Sequence, residues 1–243
     1  MRKILTYKGI ERVLDLIYPP RCPVCNEVVA ISDGGVCPEC KDKFHYVEEP
    51  YCLKCGKPID DEGEEYCKDC KDKTHNYIEG RACFVYDEYM KESIYRFKYN
   101  GKQEYAKYYA REINARLGKK IKSWNVDALI PVPIHKDRLR KRGYNQAELI
   151  AKHLSYLTKI PVNNQILERK NPTKALKNLD AKERENNLKK AFIVKENVVK
   201  LRTVIIVDDI YTTGSTVDAI SLALIDAGVK NVYFITLCIG RGY

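Results

Sequence analysis

The chain of 243 residues contains no run of eighteen apolar residues, so nothing in it is long enough to cross a bilayer as a helix. Its first twenty residues are interrupted by Lys8, Glu11, Arg12 and Asp15, which also excludes the apolar core of a secretory leader. A cytosolic protein is expected. With 10 Pro and 13 Gly it has too little of either for a collagen-like or low-complexity chain. It also lacks a G-x-x-x-x-G-K-[ST] loop and a G-x-G-x-x-G turn after a strand, which removes the main support for an ATPase or a dinucleotide-binding fold. What is present is a 44% hydrophobic composition, enough core for one ordinary domain and a small companion.

Charge is unevenly spread. The formal total is +10, yet residues 1–77 carry 12 Lys and Arg against 15 Asp and Glu, while residues 134–202 carry 18 against 7. That basic segment points to a polyanionic partner such as nucleic acid or a pyrophosphate; a solvated basic surface is the alternative.

In residues 1–20, Ile4, Leu5, Ile10, Val13, Leu14, Leu16 and Ile17 recur at mostly helical spacing before Tyr18-Pro19-Pro20 closes the segment. An amphipathic helix is expected there, docked on its own protein or laid against a partner or the inner face of the membrane.

From Cys22 to Cys70 there is little apolar material besides cysteine, so this stretch cannot fold by hydrophobic burial alone. Four C-x-x-C knuckles, Cys22/Cys25, Cys37/Cys40, Cys52/Cys55 and Cys67/Cys70, begin fifteen residues apart each time. In a reducing compartment that repetition favours metal over disulfides. Eight thiolates make two closed tetrahedral Zn²⁺ sites, which scaffold and leave no open position for chemistry. Sequential pairing of the knuckles is the first choice, and a cross-braced arrangement uses the same spacing. Cys83 and Cys238 lie in strand patterns and read as small core residues.

After Cys70 the texture changes to alternating apolar runs and helical patterns. Strands are expected over 81–86, 126–133, 165–169, 192–194, 204–207 and 232–239, and helices over 89–99, 103–117, 145–157 and 216–227. Near-continuous apolar strands imply an α/β fold with a mostly parallel sheet covered on both faces. The organisation is then an N-terminal helix (1–20), a double zinc ribbon (21–77) and an α/β domain (78–243). The tyrosines at 105, 108 and 109 read as half-buried helix residues, or as platforms for stacked bases.

The most informative segment is VIIVDDIYTTGST, residues 204–216, where an apolar strand ends in two acids and turns through small hydroxyl residues into a helix. Backbone N–H groups at a helix N-terminus, with the hydroxyls of Thr212, Thr213, Ser215 and Thr216, capture an anion, and Gly214 lets the backbone approach it. Asp208 and Asp209 do not suit a phosphate. They suit vicinal sugar hydroxyls, or a divalent cation. Together these residues predict a ribose 5-phosphate at the carboxyl end of a sheet strand.

Residues 204–216 resemble the signature of type I phosphoribosyltransferases for phosphoribosyl pyrophosphate (PRPP). Residues 127–146, DALIPVPIHKDRLRKRGYNQ, the region around Asn186, Ala191 and Phe192, and the double zinc ribbon resemble the ComF competence-protein family. The resemblance implies that Asp208 and Asp209 hold the ribose hydroxyls, that Thr212, Thr213, Gly214, Ser215 and Thr216 hold the 5-phosphate, and that PRPP arrives with Mg²⁺. It implies pyrophosphate contacts from the turn beyond Pro133, with Lys136, Arg138 and Arg142. It also implies a mobile basic loop over 169–190, with Lys174 and Arg184 as catalytic candidates beside the two aspartates. Arg96 and Lys98 either add to this anion site or line a helix face. The activity so implied is phosphoribosyl transfer to an unidentified acceptor during DNA uptake. A different class of function is a zinc-containing single-stranded-DNA adaptor of the competence machinery, working with a helicase and a recombination mediator.

Overall fold

The computed structural model describes residues 19–30, 34–169, 191–195 and 201–241. The expected N-terminal helix over 1–20, Lys174, Arg184 and the loop around them fall outside the described residues, apart from Pro19 and Pro20.

Four strands form one parallel sheet: β1 (Glu79–Val85), β2 (Ala128–Pro131), β5 (Thr203–Tyr211) and β6 (Asn231–Ile239), in spatial order β1-β6-β5-β2. A short antiparallel pair, β3 (Leu167–Arg169) and β4 (Phe192–Val194), stands apart. The sheet is buried on both faces, which is why its strands are apolar without alternation. On one face Leu129, Ile205, Val207, Ile235 and Leu237 pack against α2 (Glu88–Tyr99), α3 (Tyr105–Ser123) and α5 (Gln146–Thr158). On the other, Ile130, Val204, Ile206 and Phe234 pack against α6 (Ser215–Asp226) and the β3–β4 pair.

Local chemistry sets the helix starts. The Asp87 side chain accepts the Met90 N–H at 2.8 Å to begin α2, and Asn145 accepts the Ala147 N–H at 3.1 Å to begin α5. The segment expected as a turn beyond Pro133 is instead a helix, α4 (Lys136–Arg142), capped by the His135 side chain and ended by Gly143 at φ 79°. Five of its seven residues are basic and Leu139 is its one apolar residue, so it carries no periodic signal. Tyr105, Tyr108 and Tyr109 are buried in the core of the first face and present no stacking surface.

The cysteine-rich segment, with its own short α1 (Lys68–Asp72), wraps the β1 edge. Val47 N–H donates to Cys83 O and Val85 N–H to His45 O, so the segment adds main-chain hydrogen bonds to that edge. Its two halves go to opposite faces: Cys22 and Cys40 join the first core, Cys52 and Cys55 the second. Among the described residues, no helix is long and apolar enough to cross a membrane.

Candidate functional site

The fifteen-residue cysteine repeat is visible in three dimensions. Cys22 N–H donates to Glu27 O at 2.8 Å and Cys52 N–H to Lys57 O at 2.8 Å, and the turns pass through positive φ at Asn26 (67°) and Gly56 (76°). The sulfurs gather as Cys22/Cys25/Cys37/Cys40 and Cys52/Cys55/Cys67/Cys70, all within 4.8 Å of one another in each group. Pairing is therefore sequential, not cross-braced. The Cys25–Cys37, Cys22–Cys37 and Cys55–Cys67 sulfur separations are 3.6, 3.7 and 3.7 Å. A Zn²⁺ ion bonded to four sulfurs at about 2.3 Å needs edges of about 3.8 Å. The donor sets fit structural zinc.

The second region of interest lies where β5 outruns β2. Pairing between them stops at Pro131 and Val207, so Asp208 and Asp209 stand past the end of β2 at the carboxyl edge of the sheet. The helices on either side, α5 and α6, cover opposite faces, which makes this a switch point of the sheet. Beyond it, Thr212 and Thr213 are exposed, Gly214 caps α6 at φ 76°, and the Thr213 and Ser215 hydroxyls lie 2.9 Å apart. Gly214 at the N-cap offers no side chain to cap α6, so the first-turn N–H groups have no N-cap partner.

The two carboxylates differ. Asp209 holds the Lys98 ammonium at 3.0 and 2.9 Å through its two oxygens. Burial works against the Lys98 charge, but Asp209 and then Asp208 outweigh it and hold its pKa above the ordinary value. Asp208 accepts the Asp209 N–H at 2.8 Å. Burial first, then the Asp209 charge, push its carboxyl up to about 7, while Lys98 and Arg169 pull the other way. Burial and then the nearby Arg138 charge lower the Arg169 pKa. Lys98 and Arg169 thus act on the two acids directly, and Arg142 and Arg138 stand one step further out, beside Lys98 and Arg169 respectively.

The sequence-predicted site residues divide accordingly. Asp208, Asp209 and residues 212–216 are contiguous at the strand end. Arg138 reaches the electrostatic neighbourhood of Arg169, and Arg142 that of Lys98, while Arg142 donates to Gln146 Oε1 at 3.0 Å and to the Tyr99 hydroxyl at 3.1 Å. Lys136 is exposed and pairs loosely with Glu168 at 3.7 Å. Arg96 points elsewhere: it donates to Pro23 O and Val24 O and ties the first knuckle to α2. Lys98, two positions on, is the residue at the site. Arg169, the first residue of the basic stretch expected over 169–190, closes β3 and lies in the electrostatic neighbourhood of Asp208.

Comparison with known proteins agrees with this layout. The double zinc ribbon domain family matches residues 13–71, and the phosphoribosyl transferase domain family matches residues 109–242, more than half of the chain. Competence protein F of Haemophilus influenzae is 44% identical over 108 residues, which is 44% of this chain and 47% of that protein. Competence protein ComFC of Bacillus subtilis is 29% identical over 153 residues (62% and 59%), and that of Streptococcus pneumoniae 30% over 159 (64% and 66%). The matches span about half to two thirds of the length of these relatives. The two domain matches, together with the similarity to competence proteins F and ComFC, place this chain in the ComF family, with a phosphoribosyl transferase domain behind a double zinc ribbon.

Proposed function

We propose that this protein binds PRPP together with Mg²⁺ and acts as a phosphoribosyltransferase, displacing pyrophosphate from C1 of the ribose by an acceptor of unknown identity. The observation that carries this reading is the Asp208–Asp209 pair beside the N-terminus of α6, with Lys98 and Arg169 acting on the acids and Arg142 and Arg138 beside those two cations. The α6 N-terminus with Thr213 and Ser215 would seat the 5-phosphate. The carboxylates would accept the ribose hydroxyls or bind the cation; Asp208, desolvated and beside the charge of Asp209, suits either. Lys98, Arg138, Arg142 and Arg169 would balance the pyrophosphate. Catalysis is then chiefly electrostatic: charge spreads from the breaking C1–O bond into groups already in place. Calorimetric titration with PRPP and Mg²⁺ tests the site. Wild type is expected to bind, and Asp208→Asn with Asp209→Asn to reduce affinity by at least about a hundredfold with both zinc ions retained. Unchanged binding in the double variant would refute the assignment.

A second reading, a single-stranded-DNA adaptor, has its own observation. Tyr95 and Tyr99 are 56% and 59% exposed on α2, with ring centroids 5.1 Å apart, and the Arg142 guanidinium lies 4.9 Å over Tyr99. Beside them α4 exposes Lys136, Arg138, Arg140 and Lys141. Stacking rings next to cations suit unpaired bases and their phosphates. Binding of an oligonucleotide would weaken steeply with salt, and Tyr95→Ala with Tyr99→Ala would weaken it without altering the salt slope; a flat salt dependence counts against the reading.

A further inference from the structure

Behind the loop that precedes α6 lies a buried polar network that joins it to the second cysteine cluster. Tyr77, 1% exposed and seven residues beyond Cys70, shares a hydrogen bond with the Tyr211 hydroxyl at 2.7 Å. Tyr211 lies flat on Phe234, with ring centroids 4.8 Å apart at 3°, and Tyr77 meets Phe234 edge-on at 4.8 Å. The Tyr211 hydroxyl sits directly under Gly214; a Cβ on that glycine would collide with it. His75 stacks on Tyr77 at 5.0 Å, and its Nδ1 is 2.5 Å from Asp218 Oδ2, while the Asn76 N–H donates to Asp218 Oδ1 at 2.9 Å. Asp218 belongs to the first turn of α6, and its own N–H donates to Gly214 O at 2.8 Å.

On the cluster side the connection is equally direct. Lys54, inside the Cys52/Cys55 knuckle, donates to Tyr77 O at 2.5 Å and lies 5.2 Å from the centre of its ring. Cys52, Cys55, Tyr77, Tyr211, Val217 and Phe234 belong to one core. Lys57, 5% exposed at its side chain, pairs with Asp69 at 2.6 Å and closes the second ribbon half on itself.

We propose that Tyr77 and His75 are positioning residues for the phosphate loop, through which metal loading at Cys52/Cys55/Cys67/Cys70 and anion binding at residues 212–216 are coupled. The inference rests on the reading of that loop as a phosphate site. Tyr77 sets the height of the Tyr211 hydroxyl, Tyr211 is the floor on which Gly214 rests, and His75 with Asn76 fixes the start of α6. A loop whose floor is fixed in advance loses less freedom on binding. Coupling of two binding equilibria is reciprocal, so the anion must in turn protect the metal.

The test has two arms on the full zinc-loaded chain. In the first, PRPP with Mg²⁺ is titrated calorimetrically into wild type, Tyr77→Phe, Tyr211→Phe and the double variant. Each single variant keeps its ring but removes half of the hydroxyl pair, and each is expected to lower affinity about three- to tenfold, with the double variant binding no worse than either single one. Tyr46→Phe is the control: its hydroxyl donates to Glu112 of α3 at 2.7 Å, beside the first core and away from the second cysteine cluster, and its loss is expected to leave affinity unchanged. In the second arm, cysteine alkylation under a chelator is followed by peptide mass spectrometry. PRPP is expected to slow modification of Cys67 and Cys70 severalfold in wild type, to leave Cys25 and Cys37 unaffected, and to lose this protection in Tyr77→Phe. Absence of heat with wild type overturns the reading of the site itself. Heat with wild type but equal affinity in Tyr77→Phe, additive losses in the double variant, or equal protection of both clusters overturns the coupling alone.

Discussion

Asp208 and Asp209 are neighbours in the chain yet sit in different electrostatic states: one is paired with Lys98, the other is desolvated and pushed up to about 7. The sign of the pH dependence follows. An isolated Asp in the unfolded chain has a pKa near about 3.9, so between about pH 4 and pH 7 the folded state holds the Asp208 proton more tightly. Its contribution to stability is full below that window and falls as pH rises through about 7. Asp208→Asn is therefore expected to melt higher than wild type at pH 8 and close to it at pH 4, each kcal/mol appearing as roughly 2–4 °C in a chain of this size. Scanning calorimetry at the two pH values checks this, and a pH-independent difference would contradict it. Saturating Mg²⁺ should narrow the gap at pH 8 if the cation sits on Asp208. The acids were legible in the sequence because two adjacent carboxylates after an apolar strand serve no purpose in packing. Lys98 was legible only as one of two candidates, because only the packing of α2 decides whether Arg96 or Lys98 faces the strand end.

At the level of elements, the sequence pattern was most informative where burial is greatest. The strand 192–194 falls where expected, and the strands at 81–86 and 232–239 and the helix at 216–227 are each shifted by two residues or fewer at either end. The expected strand 204–207 continues to Tyr211, because pairing with β6 persists through Asp208, Ile210 and Tyr211 after β2 has ended. Polarity in the sequence marked the end of the apolar run, not the end of the hydrogen-bond ladder. α4 escaped for the converse reason: its hydrogen bonds are regular, but nothing apolar marks a face. The junction of β5 with α6 makes the sharpest prediction at this scale. Gly214 combines φ 76° with the Tyr211 ring beneath it, so Gly214→Ala adds a left-handed penalty of about 1–2 kcal/mol to a collision that only a shift of the loop relieves. The variant is expected to keep its secondary structure by circular dichroism, melt several degrees lower, and bind PRPP at least about tenfold more weakly. Wild-type affinity in Gly214→Ala would show that the loop conformation does not matter to the ligand.

For the molecule as a whole, the decisive feature is that the ribbon is not an appendage. The cysteine spacing made the metal sites readable, since two tetrahedral thiolate sites require paired C-x-x-C knuckles and a fifteen-residue repeat supplies them twice over. Where the ribbon docks was not readable, because the contacts that place it join residues distant in sequence: Val47 with Cys83, Ser93 with Pro23, Tyr105 with Asn26, Lys54 with Gly80. Those contacts bring Cys22 and Cys40 into the core on one face of the sheet and Cys52 and Cys55 into the core on the other. Structural zinc in isolated fingers contributes on the order of 10–16 kcal/mol, comparable to the whole stability of a domain, so losing it here removes support from both faces at once. Chelation is therefore expected to produce one cooperative loss of structure, seen together in the far-ultraviolet signal of the helices and in the fluorescence of Trp124, which stacks on Tyr233 of β6 at 4.6 Å. A chain reduced to residues 78–243 would expose the β1 edge that Val47 and His45 now cover, and is expected to aggregate on expression. If that fragment instead stays monomeric and melts as the full chain does, the ribbon is a passenger, and metal removal should then leave the Trp124 signal untouched.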